Sequence, residues 1–114
     1  MSSSNLCRGW SAEAIRRAIL AATDAQRDVL ATIAQTPGIS TVEIAQELGL
    51  KSARSVGATM AAWSRMVTSP MGIVDPVTGS ASWPIHFPGK KGGYETYLMP
   101  PAVADVVIAT LGHS

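Results

Sequence analysis

The feature that most constrains this chain is a short helix signal that stops at a tight turn. Ser40 and Glu43 have the spacing of a capping box, in which each side chain accepts a hydrogen bond from the backbone amide of the other residue. A helix is therefore predicted over residues 41–48. Gly49 follows, at the place where a helix that ends in a left-handed residue most often has glycine. The chain is expected to turn there and leave in a new direction.

A second, longer helix is predicted directly after this turn, over residues 53–67, with Ser52 as its cap. One side is expected to be buried, because large apolar residues recur every three or four positions at Val56, Met60, Trp63 and Val67. The opposite side presents small and basic residues, namely Arg54, Ser55, Ala58, Ala62 and Arg65. Gly57 costs about 1 kcal/mol relative to alanine inside a helix, and close approach of a backbone is one reason for a glycine there.

Two helices are predicted before this pair and one after it. Ser11 caps the first, and Thr23 with Gln26 forms another capping box that opens the second. A last helix over 102–111 has Pro101 in its first turn. Its apolar surface is so broad that burial against a partner chain is expected.

The segment between residues 68 and 100 has the chemistry of turns and short strands. Strands are predicted over 72–74, 82–87 and 94–99. Residues 88–93 are turn residues with two lysines, so the last two strands form a hairpin with a basic tip. Pro84 indicates that the first hairpin strand lies at an edge or begins late.

The composition argues against several classes of protein. Cys7 is the only cysteine, so neither an intrachain disulfide nor a cysteine-based zinc cluster is expected, and His86 and His113 complete no metal-binding pattern with it. No apolar run has the length of a membrane span and no signal-peptide pattern is present, so a cytoplasmic protein is predicted. Catalytic groupings such as Ser-His-acid, Cys-His or paired carboxylates are missing, so neither an enzyme nor a cofactor is expected.

Charge is unevenly distributed, although the net charge is only +1. Residues 48–94 contain five basic residues and one acidic residue, which gives this middle segment a charge of +4. The segments on both sides are mildly acidic. A locally basic surface of this kind suits phosphate groups.

Three parts of the sequence carry a resemblance to a known family: the run from Ser40 to Leu50, the residues Ser52 and Val56, and residues 72–74 at the entrance to the hairpin. Together they resemble the winged helix-turn-helix superfamily of small bacterial transcription regulators. In that family a small residue in the first helix allows the second helix to cross it at short distance. A glycine forms the turn between them, and an apolar residue packs the second helix against the core. Ala45, Gly49 and Val56 match these roles. The turn after Gly49 is one residue longer than the common pattern.

The resemblance implies a mainly α fold with a small β-hairpin wing. It implies a flexible tail over 1–10 and a single domain over 11–114, with the helix-turn-helix at 41–67, the wing at 72–99 and the last helix at 101–111. The expected partner is double-stranded DNA, read by helix 53–67 in the major groove and flanked by the hairpin tip 88–93.

The residues expected to contact DNA lie on that helix, before it and at the hairpin tip: Lys51, Ser52, Arg54, Ser55, Thr59, Arg65, Lys90 and Lys91. Five basic side chains are few, so useful affinity is expected from a homodimer held by the first and last helices. A small-molecule effector is compatible with the fold, but no residue identifies one. The alternative is a protein–protein interaction module on the same fold: an adaptor, an antitoxin-like partner or a phage-encoded inhibitor.

Overall fold

Five α-helices and one small antiparallel hairpin make up residues 9–112, the part of the chain that the computed structural model describes. The helices are α1 (Ala12–Leu20), α2 (Asp24–Gln35), α3 (Thr41–Leu48), α4 (Ala53–Trp63) and α5 (Pro101–Leu111). The hairpin strands are β1 (Lys90–Lys91) and β2 (Tyr94–Glu95). Cys7, His113 and most of the predicted tail lie outside the described residues.

The predicted caps before α1, α2 and α3 are confirmed. The Ala14 amide donates to Ser11 Oγ, and both capping boxes are complete. In the box before α3, the Glu43 amide donates to Ser40 Oγ at 3.2 Å and the Ser40 amide donates to Glu43 Oε1 at 3.0 Å. Gly49 has the left-handed conformation, with φ of 69°. The Leu50 amide then reaches back to the Ala45 carbonyl at 2.8 Å, which closes the turn.

The prediction that Ser52 caps α4 is wrong. Ser52 occupies the capping position, but its side chain makes no capping hydrogen bond in the described structure. Its backbone carbonyl is used instead, because the Ser55 amide donates to it at 3.1 Å. No acidic residue lies in the first turn of α4. The positive end of the helix is therefore not neutralised by a side chain of its own first turn.

Helical backbone extends past the predicted end of α4 at Val67. A π-helical turn (Ser64–Thr68) and a 3-10 turn (Ser69–Met71) continue it, until Gly72 ends it with φ of 67°. The predicted strand 72–74 is consequently reduced to one bridge, between Val74 and Ala81.

The hairpin is less regular than predicted: β1 lies inside the segment 88–93 that was predicted to be the turn, and the predicted strand 82–87 has one isolated bridge, at His86, in the described structure. Its loop is Gly92-Gly93, with φ of 60° and 84°, so both glycines adopt the positive values that a two-residue type I′ turn requires. Lys90 pairs with Glu95, while further out His86 pairs with Leu98. Three residues (87–89) therefore face two (96–97), which makes a bulge at Pro88, where no amide is available for the ladder.

The returning strand of the hairpin also pairs with the segment that leads into α3. The Tyr97 amide donates to the Ile39 carbonyl at 3.0 Å, and the Gly38 amide donates to the Tyr97 carbonyl at 3.0 Å. A bridge joins Ser40 to Thr96. This pairing fixes the hairpin against the start of α3.

The core lies where α1, α2, α4 and α5 meet. Trp63, predicted to be a core residue, is 1% exposed, and its indole Nε1 donates to the Ala18 carbonyl of α1 at 3.1 Å. Trp10, placed by the sequence at the end of a flexible tail, is buried and donates to the Ser82 carbonyl at 3.0 Å. Val103 and Val107 of α5 are buried against α1 and α2. Much of the broad apolar surface of α5 is thus covered within the chain.

Ser40 and Ser52 form a matched pair for testing these caps. Ser40→Ala removes a formed capping bond, so it is expected to lower the free energy of unfolding by about 1 kcal/mol in urea denaturation. Ser52→Ala removes none and is expected to change it by less than about 0.5 kcal/mol. Equal losses in the two variants would contradict the assignment of the caps.

Candidate nucleic-acid interface

The outward face of α4 is uncovered, and its first basic residue points to solvent. Val56, Met60 and Trp63 on the opposite face are each at most 1% exposed, and they fix how the helix is rotated. Arg54 and Ala58 are exposed as a result, and so is Arg65 in the π-helical turn. Before the helix, Lys51 and Ser52 are exposed as well. The structure therefore leaves two cations accessible at the start of this surface.

Ser55 and Thr59 are less accessible than the sequence suggests. Both are half-buried. The Thr59 hydroxyl donates to the Ser55 carbonyl one turn earlier, at 2.8 Å. Its proton is therefore already used inside the helix, and only its acceptor capacity is left for an outside group.

The two hairpin lysines lie on opposite faces of the hairpin, because neighbouring residues of a strand alternate. Lys91 points back to α3, where its Nζ lies 2.9 Å from Oε2 of Glu43. Lys90 is on the other face, which it shares with Glu95. Lys90 is exposed. The basic tip predicted from the sequence is thus one paired lysine and one exposed lysine facing away from α3.

Glu43 has two roles, and sequence reasoning found only one. It closes the capping box of α3 and it also holds Lys91, which is 48 positions away in the sequence. The backbone hydrogen bond from Ser40 lowers the pKa of the Glu43 carboxyl, and the hydrogen bond from Lys91 lowers the pKa further. The carboxylate therefore stays charged and links the hairpin to the start of α3.

A chain of four aromatic rings lies behind the hairpin. The ring centroids of Trp63 and Trp83 are 6.4 Å apart, those of Trp83 and Phe87 are 5.0 Å apart, and those of Phe87 and Tyr97 are 5.2 Å apart. Burial raises the pKa of Tyr97, with a smaller contribution from Glu95. Trp83 is partly buried and packs against the core through these ring contacts. Phe87 and Tyr97 were not singled out, although their places in the two predicted hairpin strands gave a usable signal.

Gly57 does not serve close packing within the described chain. A Cβ atom built at this position would meet no atom within 4 Å. The interpretation that a neighbouring backbone requires the glycine is therefore wrong for contacts within residues 9–112. Packing within the described chain therefore does not offset the destabilisation of α4 by Gly57.

Within residues 9–112, no three His, Cys, Asp or Glu side chains are grouped so that they could hold a metal ion. None of the helices in that range has both the length and the apolar character needed to cross a bilayer. Comparison of the chain with protein-family models, with curated proteins and with solved structures gives no match.

Gly57→Ala is expected to raise the free energy of unfolding by about 0.5–1 kcal/mol, since alanine favours the helix and its methyl group enters open space. Chemical denaturation measures this. Ala58→Gly, at the exposed neighbouring position, is the reciprocal control and is expected to lower the free energy by a similar amount. A destabilised Gly57→Ala variant would show that the position is crowded.

The pKa of the Glu43 carboxyl is expected below its ordinary value of 4.5 in an NMR titration. Lys91→Ala should raise this pKa only in part, because the Ser40 hydrogen bond remains. The sign for stability follows from the lowered folded-state pKa: the contribution is complete above the unfolded-state pKa and is lost as pH falls through the folded-state value. A Glu43 pKa that is unchanged in Lys91→Ala would contradict the ion pair in solution.

Proposed function

We propose that this chain binds double-stranded DNA and acts as a transcriptional regulator of the winged helix-turn-helix type. In this proposal α4 enters the major groove and the hairpin tip, residues 88–93, lies beside it as the wing. The observation that carries the proposal is the uncovered face of α4, which has Arg54 exposed near a helix end that no side chain of its first turn neutralises. A helix of this kind fits the major groove, and its amino end favours phosphate.

The connections around α4 support the proposal. A short helix, a tight turn at Gly49 and a longer helix are followed by a hairpin that pairs with the segment before α3. The returning strand lies between that segment and the outgoing strand. This order attaches the hairpin to the segment before α3, as a wing beside a helix that enters a groove would require.

The charges give the proposal a specific form. Lys51, Arg54, Arg65 and Lys90 are exposed and have no salt bridge in the described structure, whereas Lys91 is held by Glu43. A single domain with so few phosphate contacts would bind DNA weakly. A homodimer bound to two half-sites would have a higher affinity, because it doubles these contacts. We place its interface on α1 and α5, where Leu20 is 57% exposed and Val106 and Leu111 are only half-buried.

One observation favours the alternative of a protein-interaction module. Met66 is 68% exposed and lies on the surface beside Arg17, Ala21 and Met71. A large exposed apolar side chain of this kind suits a protein partner more than a phosphate backbone.

The proposal is tested by fluorescence anisotropy with a labelled pool of random-sequence duplexes at low salt. Binding is expected to weaken steeply as salt rises, and removal of one phosphate-binding cation should reduce the salt slope by about 1. Arg54→Ala is expected to cost about 1–3 kcal/mol on a selected site if it contacts a base edge. Arg17→Ala removes the same charge from the side of α1 that faces Met66, away from Val106 of α5 and from α4's outward face, and is the matched control, expected to bind nearly as the parent chain does.

The hairpin supplies a second comparison. Lys90→Ala is expected to weaken binding more than Lys91→Ala, because Lys91 must leave Glu43 before it can reach a phosphate. Binding that does not change with salt concentration, or Arg54→Ala and Lys90→Ala variants that bind no more weakly than Arg17→Ala, would overturn the proposal.

A further inference from the structure

A cleft of about 410 Å³ lies between α4 and the hairpin. One side is formed by Gly57, Met60, Ala61 and Ser64, and the other by the rings of Trp83, Phe87 and Tyr97 with Glu95. We call it the α4–hairpin cleft. Its volume is within the range of sites that bind small organic molecules.

Gly57 keeps this cleft open. The position is helical, so a glycine is costly there, and a Cβ atom at this position would meet no atom of the described chain within 4 Å. Ala61, one turn later, is small and exposed. The backbone of α4 is therefore accessible to a flat molecule lying against it.

The aromatic wall has an unsatisfied donor. The three tryptophans differ in this respect: the indole Nε1–H groups of Trp10 and Trp63 donate to backbone carbonyls, while that of Trp83 is buried with no partner among residues 9–112. Trp83 is held instead by stacking on Phe87, with an interplanar angle of 22°. Phe87, which is 42% exposed, is the most accessible ring of this wall, whereas Tyr97 is only 4% exposed.

The only charged residue lining the cleft is Glu95, which has no salt bridge in the described part of the chain. Lys90 is opposite it in the strand register but does not line the cleft. Ring faces attract cations through their quadrupoles, and the carboxylate adds to this attraction. The wall therefore favours a positively charged aromatic molecule over a neutral or anionic one.

We propose that the α4–hairpin cleft binds a flat aromatic cation of two or three fused rings, stacked on the aromatic wall beside Glu95. This goes beyond the proposed DNA binding and is independent of it. The test contains no nucleic acid, so failure of one proposal leaves the other standing.

The probe is 9-aminoacridine, which is cationic near neutral pH, with acridine as its neutral counterpart. In a titration of the ¹⁵N-labelled chain, the indole N–H signal of Trp83 is expected to shift with saturation, while that of Trp10 stays in place. Glu95→Gln is expected to weaken binding of the cation by about two- to fivefold, the size of an exposed ion pair. The same variant should leave the affinity for acridine unchanged.

Gly57→Leu tests the location. It is expected to fold, since the space is open, and to weaken binding by roughly tenfold or more because the side chain fills the cleft. Ala58→Leu adds the same side chain at an exposed position outside the cleft and is expected to bind as the parent chain does. Thermal denaturation of both variants confirms folding.

Three results would overturn the proposal: no saturable shift of the Trp83 signal, equal affinity for acridine and 9-aminoacridine, or equal binding by folded Gly57→Leu and Ala58→Leu. Should Gly57→Leu fail to fold, Ala61→Leu, on the same side of the cleft, replaces it with the same expected loss.

Discussion

The orientation of α4 depends on Trp63. Its side chain is in the core, and its Nε1–H bond to the Ala18 carbonyl ties α4 to α1 across 45 positions of sequence. Val56 and Met60 are packed in the core beside it, and the hydrogen bond of the buried indole adds a directional restraint to that packing. That orientation faces Arg54 and Ala58 outward and turns Gly57 toward the hairpin.

The hairpin depends on a different kind of restraint. It has only two short paired strands, which alone would be marginal in water. Backbone bonds from Tyr97 to Ile39 and from Gly38 to Tyr97 attach it to the start of α3, and the aromatic chain from Trp63 to Tyr97 attaches it to α4. The hairpin thus contacts both α3 and α4, and the cleft is the space left between these attachments.

The sequence predicted the helices well because their ends are set by local chemistry. Capping boxes at Thr23 and Ser40 and the left-handed Gly49 act within a few residues, so the bounds of α3 were predicted without error. Ser52 occupies the capping position of α4 as predicted, but its residue type and place do not determine whether its side chain makes the capping hydrogen bond, and it makes none. The irregular turns after Trp63 and the bulge at Pro88 depend on tertiary fit, and the predicted strands were therefore too long.

The candidate surface was predicted in part for the same reason. Exposure of Arg54 followed from the apolar period of α4, which is local information. The pairing of Lys91 with Glu43 joins residues far apart in sequence, and no spacing rule reveals it. The open space beside Gly57 is likewise a property of the folded chain.

The ion pair between Glu43 and Lys91 affects how any polyanion would meet the hairpin. To bind Lys91, such a polyanion must displace the Glu43 carboxylate from it. Salt weakens the attraction of Lys91 to Glu43 and also its attraction to the polyanion, so the two dependences partly cancel. The affinity of the hairpin tip for a polyanion would then depend less on ionic strength than its two lysines suggest. The freed carboxylate would remain at the start of α3, close to the incoming negative charge, and would limit how tightly that charge is held.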